Sequence, residues 1–404
     1  MSDLRELLTS ISDHAGVYEV TERSYVLGRR RVVRRRAAWA AAGATVAVVT
    51  LLTAMNLPGR TAPDPAITPT PSPSAVTLSS CSPAELPVHA KVRRDEFRHL
   101  TGDPSGRILA ARGEDISGDD IVAIWTDDVP TAVVKVSDQV SEVAAVSPNG
   151  IVVLAGMRLK DGSRGQTQYT SLAWVYQDGT VTRLRGEDVF GSAVNTAGTV
   201  VGMAGRDLVV WRDATAEPQR LAVPEGATPG APMEITDDGT VVATLYRDGI
   251  GRLQLWSTDG TSRPLASPDT IDGAPVVDSR IGQFADGWVS GTITTRQGET
   301  RRRYAARWHL SDGEVEWFGG GPGGVTAVNP QGWAVFQQDA RLTLIHADTA
   351  VPVPGVPDYS PTTRTGMDMP IISLISSDGR SLVGSQTTLA KNMPSRHLLR
   401  WTCR

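Results

Sequence analysis

Ser192 to Leu221 reads SAVNTAGTVVGMAGRDLVVWRDATAEPQRL. A short apolar run leads to a turn ending in Gly198, and a β-branched run follows. A second turn precedes a strand that ends at Trp211. An acidic turn at Asp213 then leads to a closing strand that ends at Leu221. Alternating apolar residues between such turns describe four short antiparallel strands. The same order recurs in Glu234 to Leu265, EITDDGTVVATLYRDGIGRLQLWSTDGTSRPL. It recurs again in Val143 to Leu184, which opens VAAVSPNGIVVLAG and closes SLAWVYQDGTVTRL.

From residue 97 onward the first-turn glycine falls at Gly106, Gly150, Gly198, Gly239, Gly287, Gly332 and Gly379, 41 to 48 residues apart. Seven units of four strands at that period cannot bury both sheet faces alone and must stack around an axis, which is a seven-bladed β-propeller. A tight hairpin needs positive φ at a central residue, hence glycine there. The strand-ending aromatics are Trp125, Trp174, Trp211, Trp256, Trp308 and Trp401, with Ile345 in the sixth unit. They are expected to pack between blades, not to stack a ligand. The Asp-Gly pairs at Asp178, Asp259 and Asp312 are read as hairpin turns, since a calcium loop needs more carboxylates in register.

The motif AVNTAGTVVGM followed by LVVWRD, Ala193 to Asp213, resembles the HAF family of bacterial extracellular repeats and, more loosely, WD40-type propellers. That resemblance implies a surface repeat protein of unassigned activity and brings no catalytic residue with it.

Composition agrees with an all-β chain: 404 residues, 40% hydrophobic, with 40 Gly and 26 Pro. The net charge of −4 is uneven, because residues 1 to 36 carry eight Arg against five acids and the remainder stands at −7. Nothing in this balance points to nucleic acid. Only four of the forty basic residues are Lys, a bias of GC-rich, actinobacterial coding.

Topology is written in the first 80 residues. Between Arg36 and Arg60 lie 23 uncharged residues, and about 20 suffice to cross a bilayer core as helix. Arg29, Arg30, Arg31, Arg34, Arg35 and Arg36 abut one end, and basic flanks stay in the cytoplasm. The expected organisation is therefore a cytoplasmic segment at 1–36, a transmembrane helix at 37–57, a Pro/Ser/Thr-rich linker at 58–80 and the propeller at 81–404. A single-pass signal anchor in the cell membrane, with the propeller extracellular, follows. The rival is a cleaved twin-arginine leader, which Gly28 to Arg34 loosely matches, although no small-x-small site closes the apolar run. Leu78-Ser79-Ser80-Cys81 has the look of a lipoprotein box, but its apolar region lies far upstream. Leu4, Leu7, Leu8 and Ile11 mark a short amphipathic helix that either lies on the inner leaflet or docks a cytoplasmic regulator.

The seventh unit stops at Trp401-Thr402-Cys403-Arg404, where other units turn into their outermost strand. Ala84 to Val88 resembles the outer strand Gln219 to Val223, so the N-terminal segment is expected to complete the last blade. Aligning Trp401 with Trp211 and Leu86 with Leu221 puts Cys403 at Asp213 and Cys81 at Ala216, the first and fourth residues of a tight turn. Their Cα atoms then lie within about 7 Å, so the two cysteines of the chain should form a disulfide.

Catalytic chemistry is sparse. The six His form no metal spacing, there is no Gly-x-Ser-x-Gly elbow, and the run Gly319 to Gly324 lacks the Lys and helix of a phosphate cradle. No cofactor or metal is called for. The second connections of units two, five and seven are long and carry Arg158, Lys160 and Arg164, then Arg296, Arg301, Arg302 and Arg303, then Lys391 and Arg396. These are the candidate binding residues, for an anionic wall polymer or polysaccharide, or for another protein; the alternative is solvated hairpin tips that bind nothing. A binding, sensory or scaffold ectodomain is expected. The alternative is a wall- or polysaccharide-directed enzyme whose acids sit at the central channel.

Overall fold

Seven antiparallel sheets follow one another along the chain, and the last is closed by the first strand. The structure, a computed structural model, describes residues 80–94, 96–136, 139–159, 169–319, 324–338, 341–346, 349–353, 370–390 and 393–404. The expected cytoplasmic segment, transmembrane helix and linker lie outside these residues, as do Lys160, Arg164 and Lys391. Among the described residues no helix is long and apolar enough to cross a membrane.

The innermost strands are Arg98–Gly102, Gln139–Val146, Val189–Val194, Thr228–Ile235, Ala274–Ala285, Gly324–Val328 and Ile371–Ile375. Each touches the next, and Arg98–Gly102 lies against both Gln139–Val146 and Ile371–Ile375, so the ring is closed. Four-stranded blades are built on six of these strands. The fifth blade has five, because Thr270–Ile271 turns back on the start of Ala274–Ala285. All seven first-turn glycines take positive φ, from 69° at Gly379 to 88° at Gly239, the conformation for which each tight turn recruited glycine.

The core lies between blades. Seven buried clusters are present among the described residues, one at each blade interface. Ile151, Val153 and Val175 of blade two, for example, meet Val200, Val209 and Trp211 of blade three. Each tryptophan of the repeat is buried on the third strand. Four of them also tie two blades together: Nε1 of Trp125, Trp211, Trp256 and Trp308 donates to the carbonyl of Pro87, Arg185, Ala222 and Ala266, at 2.6, 2.9, 2.8 and 2.8 Å. Every acceptor is the second residue past the outermost strand of the preceding blade. The aromatic thus fills the seam and its one polar atom is satisfied there.

Blade two differs in register from blades three and four. Trp211 pairs with Val200 and Trp256 with Val241, each two residues past the turn glycine, whereas in blade two that place, opposite Val152, belongs to Tyr176. Trp174 sits two residues earlier, on the same face, and packs into the interface with blade one. The side-chain period of a strand is two, so both positions point into a seam, and Trp174 packs between blades as expected, two residues away from the Trp211 register.

The interface between blades five and six has a different solution. Its apolar cluster is small (Ala285, Val328 and Ala334), and the third strand of blade six carries Ile345 in place of Trp. Arg307, 3% exposed, fills the role. Its guanidinium donates to Glu316 Oε2 at 2.8 and 2.6 Å and to the carbonyl of Gly332 across the seam, and it lies 5.1 Å over the ring of Trp288. Breaking a buried pair of this kind on one side costs several kcal/mol, because the remaining charge is stranded.

Closure is as aligned from sequence. Cys81–Glu85 is the outermost strand of the last blade, with Cys81 opposite Cys403 and Glu85 opposite Leu399. Leu86 N donates to Leu398 O as Leu221 N does to Leu208 O, three residues before the respective Trp. Cys81 and Cys403 are bonded, with Cα atoms 4.0 Å apart, and Ala216 N closes the equivalent turn of blade three onto Asp213 O at 3.2 Å. The bridge therefore stands where another blade has a hairpin. Arg400 ties the last blade to the first, donating to Asp128 Oδ1, Ser381 Oγ and Gly106 O, each at 2.7 Å.

Candidate functional site

Two places stand out: the axial cavity and the hairpin between the second and third strands of blade five. The residue three positions before the turn glycine holds the first turn of each repeat, and in blades three and five it also lines the cavity, as Asn195 and Phe284. It is Asp103, Ser147, Asn195, Thr236, Asn329 or Ser376 in six repeats, and in each its side chain accepts the backbone N–H that re-enters the second strand. Phe284 takes this place in blade five, where a two-residue Asp286-Gly287 turn needs no such acceptor, and its ring lines the cavity instead. Asn195 Nδ2 also reaches Thr236 O of the next blade at 3.2 Å, and Asn329 Nδ2 reaches Ser376 O at 2.9 Å, so these first turns are tied blade to blade.

The cavity holds about 500 Å³. Its wall is made by the innermost strands of blades one to five and seven, with Val328 alone from blade six. Gln283 explains the asymmetry, because its amide donates to Ser373 O of blade seven at 2.9 Å and spans blade six. The lining reaches Pro104, Pro148, Asp237 and Asp286, all in first connections, so the mouth lies on the face where Ser80 leads into Cys81. Glu142 and Glu234 stand half-buried on the wall among Phe190, Val143 and Leu374. Burial pushes the Glu234 carboxyl up to about 8, since desolvation disfavours the charged form.

The sequence reading missed this residue. The column five places before the turn glycine reads Thr101, Ala145, Ala193, Glu234, Gly282, Ala327 and Leu374, one acid in seven repeats. Aligning the repeats by their glycines was enough to find it.

Of the basic residues expected to bind, Arg296, Arg301, Arg302 and Arg303 come together. They are exposed on the strands Trp288–Gln297 and Thr300–His309, and none makes an ion pair among the described residues. The long second connection of blade five is a longer hairpin with a two-residue turn, not a loop. Arg296 lies directly opposite Arg301, with Arg303 two residues on and so on the same sheet face. Arg302 shares the other face with Thr295 and borders a cavity of about 280 Å³ with Asp272, Gln297 and Tyr304. Tyr304 donates to Asp272 Oδ2 there at 3.2 Å. Arg158 is exposed on Val152–Leu159 and has a partner. Arg396 is half-buried on the strand Met393–Cys403, its Nε donating to Thr387 Oγ1 at 3.4 Å, so it is a structural group more than a free one.

No family model matches the chain, and no curated protein matches it in sequence. Among solved structures it is similar to the β-propeller domain of the Trilobed protease from Pyrococcus furiosus (15% identity, TM-score 0.39, 55% of this chain and 68% of that one covered). It is also similar to TolB from Acinetobacter baumannii (11%, 0.36, 55% and 54%) and to a streptogramin B lyase (11%, 0.44, 80% and 98%). The likeness is one of fold.

Proposed function

We propose that this chain is a single-pass, membrane-tethered propeller outside the cytoplasm, of the HAF-like bacterial surface type, that binds an anionic polymer such as an acidic wall polysaccharide. The observation that carries the reading is the blade-five hairpin. Like charges directly opposite on a sheet destabilise it. Arg296 and Arg301 are nevertheless cross-strand neighbours, with Arg303 on the same face and, among the described residues, no acid paired to any of them. A polyanion laid along the hairpin would relieve that repulsion. The tether supports the same arrangement: Ser80 enters on the face of the first and third connections, so the hairpin tip of the second connection points away from the membrane.

The test uses the full-length chain in detergent on polygalacturonate resin at low salt, beside Arg296→Ser/Arg301→Ser/Arg303→Ser, which removes the three arginines of one sheet face. Three exposed charge contacts at about 0.5 kcal/mol each predict roughly tenfold weaker retention. Protease added to intact protoplasts should remove the propeller and spare residues 1–36. Equal retention of the two proteins would remove the polymer reading, and a protected propeller would remove the topology.

A further inference from the structure

The axial cavity is one-sided in charge. Glu142, Glu234, Asp237 and Asp286 line it, no Lys or Arg does, and His99 is the remaining titratable group on the described wall. Asp237 commits one oxygen to Thr196 N at 2.8 Å. Glu142, Glu234 and Asp286 make no hydrogen bond or ion pair among the described residues. No buried side-chain oxygen in the described chain is left both sealed and unbonded. The Glu234 carboxyl has no partner, so its oxygens open onto the cavity. Between these acids the wall is apolar and aromatic, with Phe190, Phe284, Val143 and Leu374. The amide of Gln283, which could have donated, is spent on Ser373. The wall thus offers acceptors and apolar surface but few donors.

A ligand that complements such a wall donates hydrogen bonds, carries positive charge and has an apolar body small enough for about 500 Å³. We propose that the axial cavity binds a small amphipathic cation, an ammonium or amidinium group on an apolar body, with its charged end at Glu234. Phe190 and Phe284 add ring faces that attract a cation. Burial raises the Glu234 carboxyl to about 8 and so keeps it largely as the neutral acid at pH 7. Binding a cation displaces that proton, so affinity rises with pH until the carboxyl is fully ionised. This site is independent of the arginine hairpin, because a carboxylate-lined cavity repels a polyanion.

The probe is phenethylammonium, with neutral 2-phenylethanol as its control, titrated calorimetrically into the full-length chain in a nonionic detergent at pH 6, 7 and 8.5. Saturable binding is expected at pH 8.5, at least about tenfold tighter for the cation than for the alcohol and about tenfold weaker by pH 6. Glu234→Gln should lose about tenfold and flatten the pH dependence. His99→Gln should keep the slope, and the triple arginine variant should bind as the parent does. Glu234→Gln is close in shape and removes a buried ionisable group, so loss of fold does not confound the result. Equal binding of cation and alcohol, unchanged affinity in Glu234→Gln, or no saturable binding of phenethylammonium up to about 10 mM would each overturn the proposal.

Discussion

Removing the clasp disulfide is the sharpest test of how the ring is held. In Cys81→Ala/Cys403→Ala the strand Cys81–Glu85 keeps its five register pairs with Cys403–Leu399, Leu86 stays buried, and Trp125 still bonds Pro87 O. The folded ring should therefore persist, and the loss falls mainly on the unfolded state, which the crosslink prevents from expanding. The bridge spans 322 residues of sequence. The loop-closure relation then gives about 6 kcal/mol at 25 °C, an upper figure, with 3 to 6 kcal/mol a reasonable expectation. With a urea m-value of about 3 kcal/mol/M, the unfolding midpoint should fall by about 1 to 2 M while the native circular dichroism spectrum is unchanged. The measurement is urea unfolding of the full-length chain in detergent, parent and variant side by side. A midpoint shift under about 0.3 M would refute the claim that chain closure is held through this bond.

Two further outcomes follow from the seams and the cavity. Trp256→Phe strands the carbonyl of Ala222, which now accepts from Nε1 at 2.8 Å, and opens a gap between blades three and four. A loss of about 2 to 3 kcal/mol in chemical denaturation is expected, and a loss below about 0.5 kcal/mol would make the seam bond irrelevant. The stability of the parent relative to Glu234→Gln should depend on pH with a definite sign. The unfolded chain releases the Glu234 proton near the ordinary value of 4.5, while the fold holds it to about 8, so the parent loses stability as pH rises between those limits and stays level above. The full difference is at most about 5 kcal/mol. Glu234→Gln should melt higher than the parent at pH 8.5 and alike at pH 4; identical melting curves at both would show that the carboxyl is well solvated.

The repeat was legible because its signals are local. Turn glycines need positive φ whatever surrounds them, and strand alternation shows in any short window, so blade count, strand order and the Cys81–Cys403 clasp followed from aligning one repeat with another. The tertiary structure alone decided what depends on neighbours around the ring. Tyr176 lies opposite Val152 and Trp174 packs into the seam two residues earlier, because the strand pairing of blade two fixes that register. Arg307 does a tryptophan's work beside Ile345 because Glu316, on the outermost strand of blade five, and Gly332 O, in the first turn of blade six, converge there. Glu234 becomes a half-buried acid because seven innermost strands, far apart in sequence, enclose one cavity. Charge and apolar character can be read from the chain, but desolvation and convergence are properties of the closed ring.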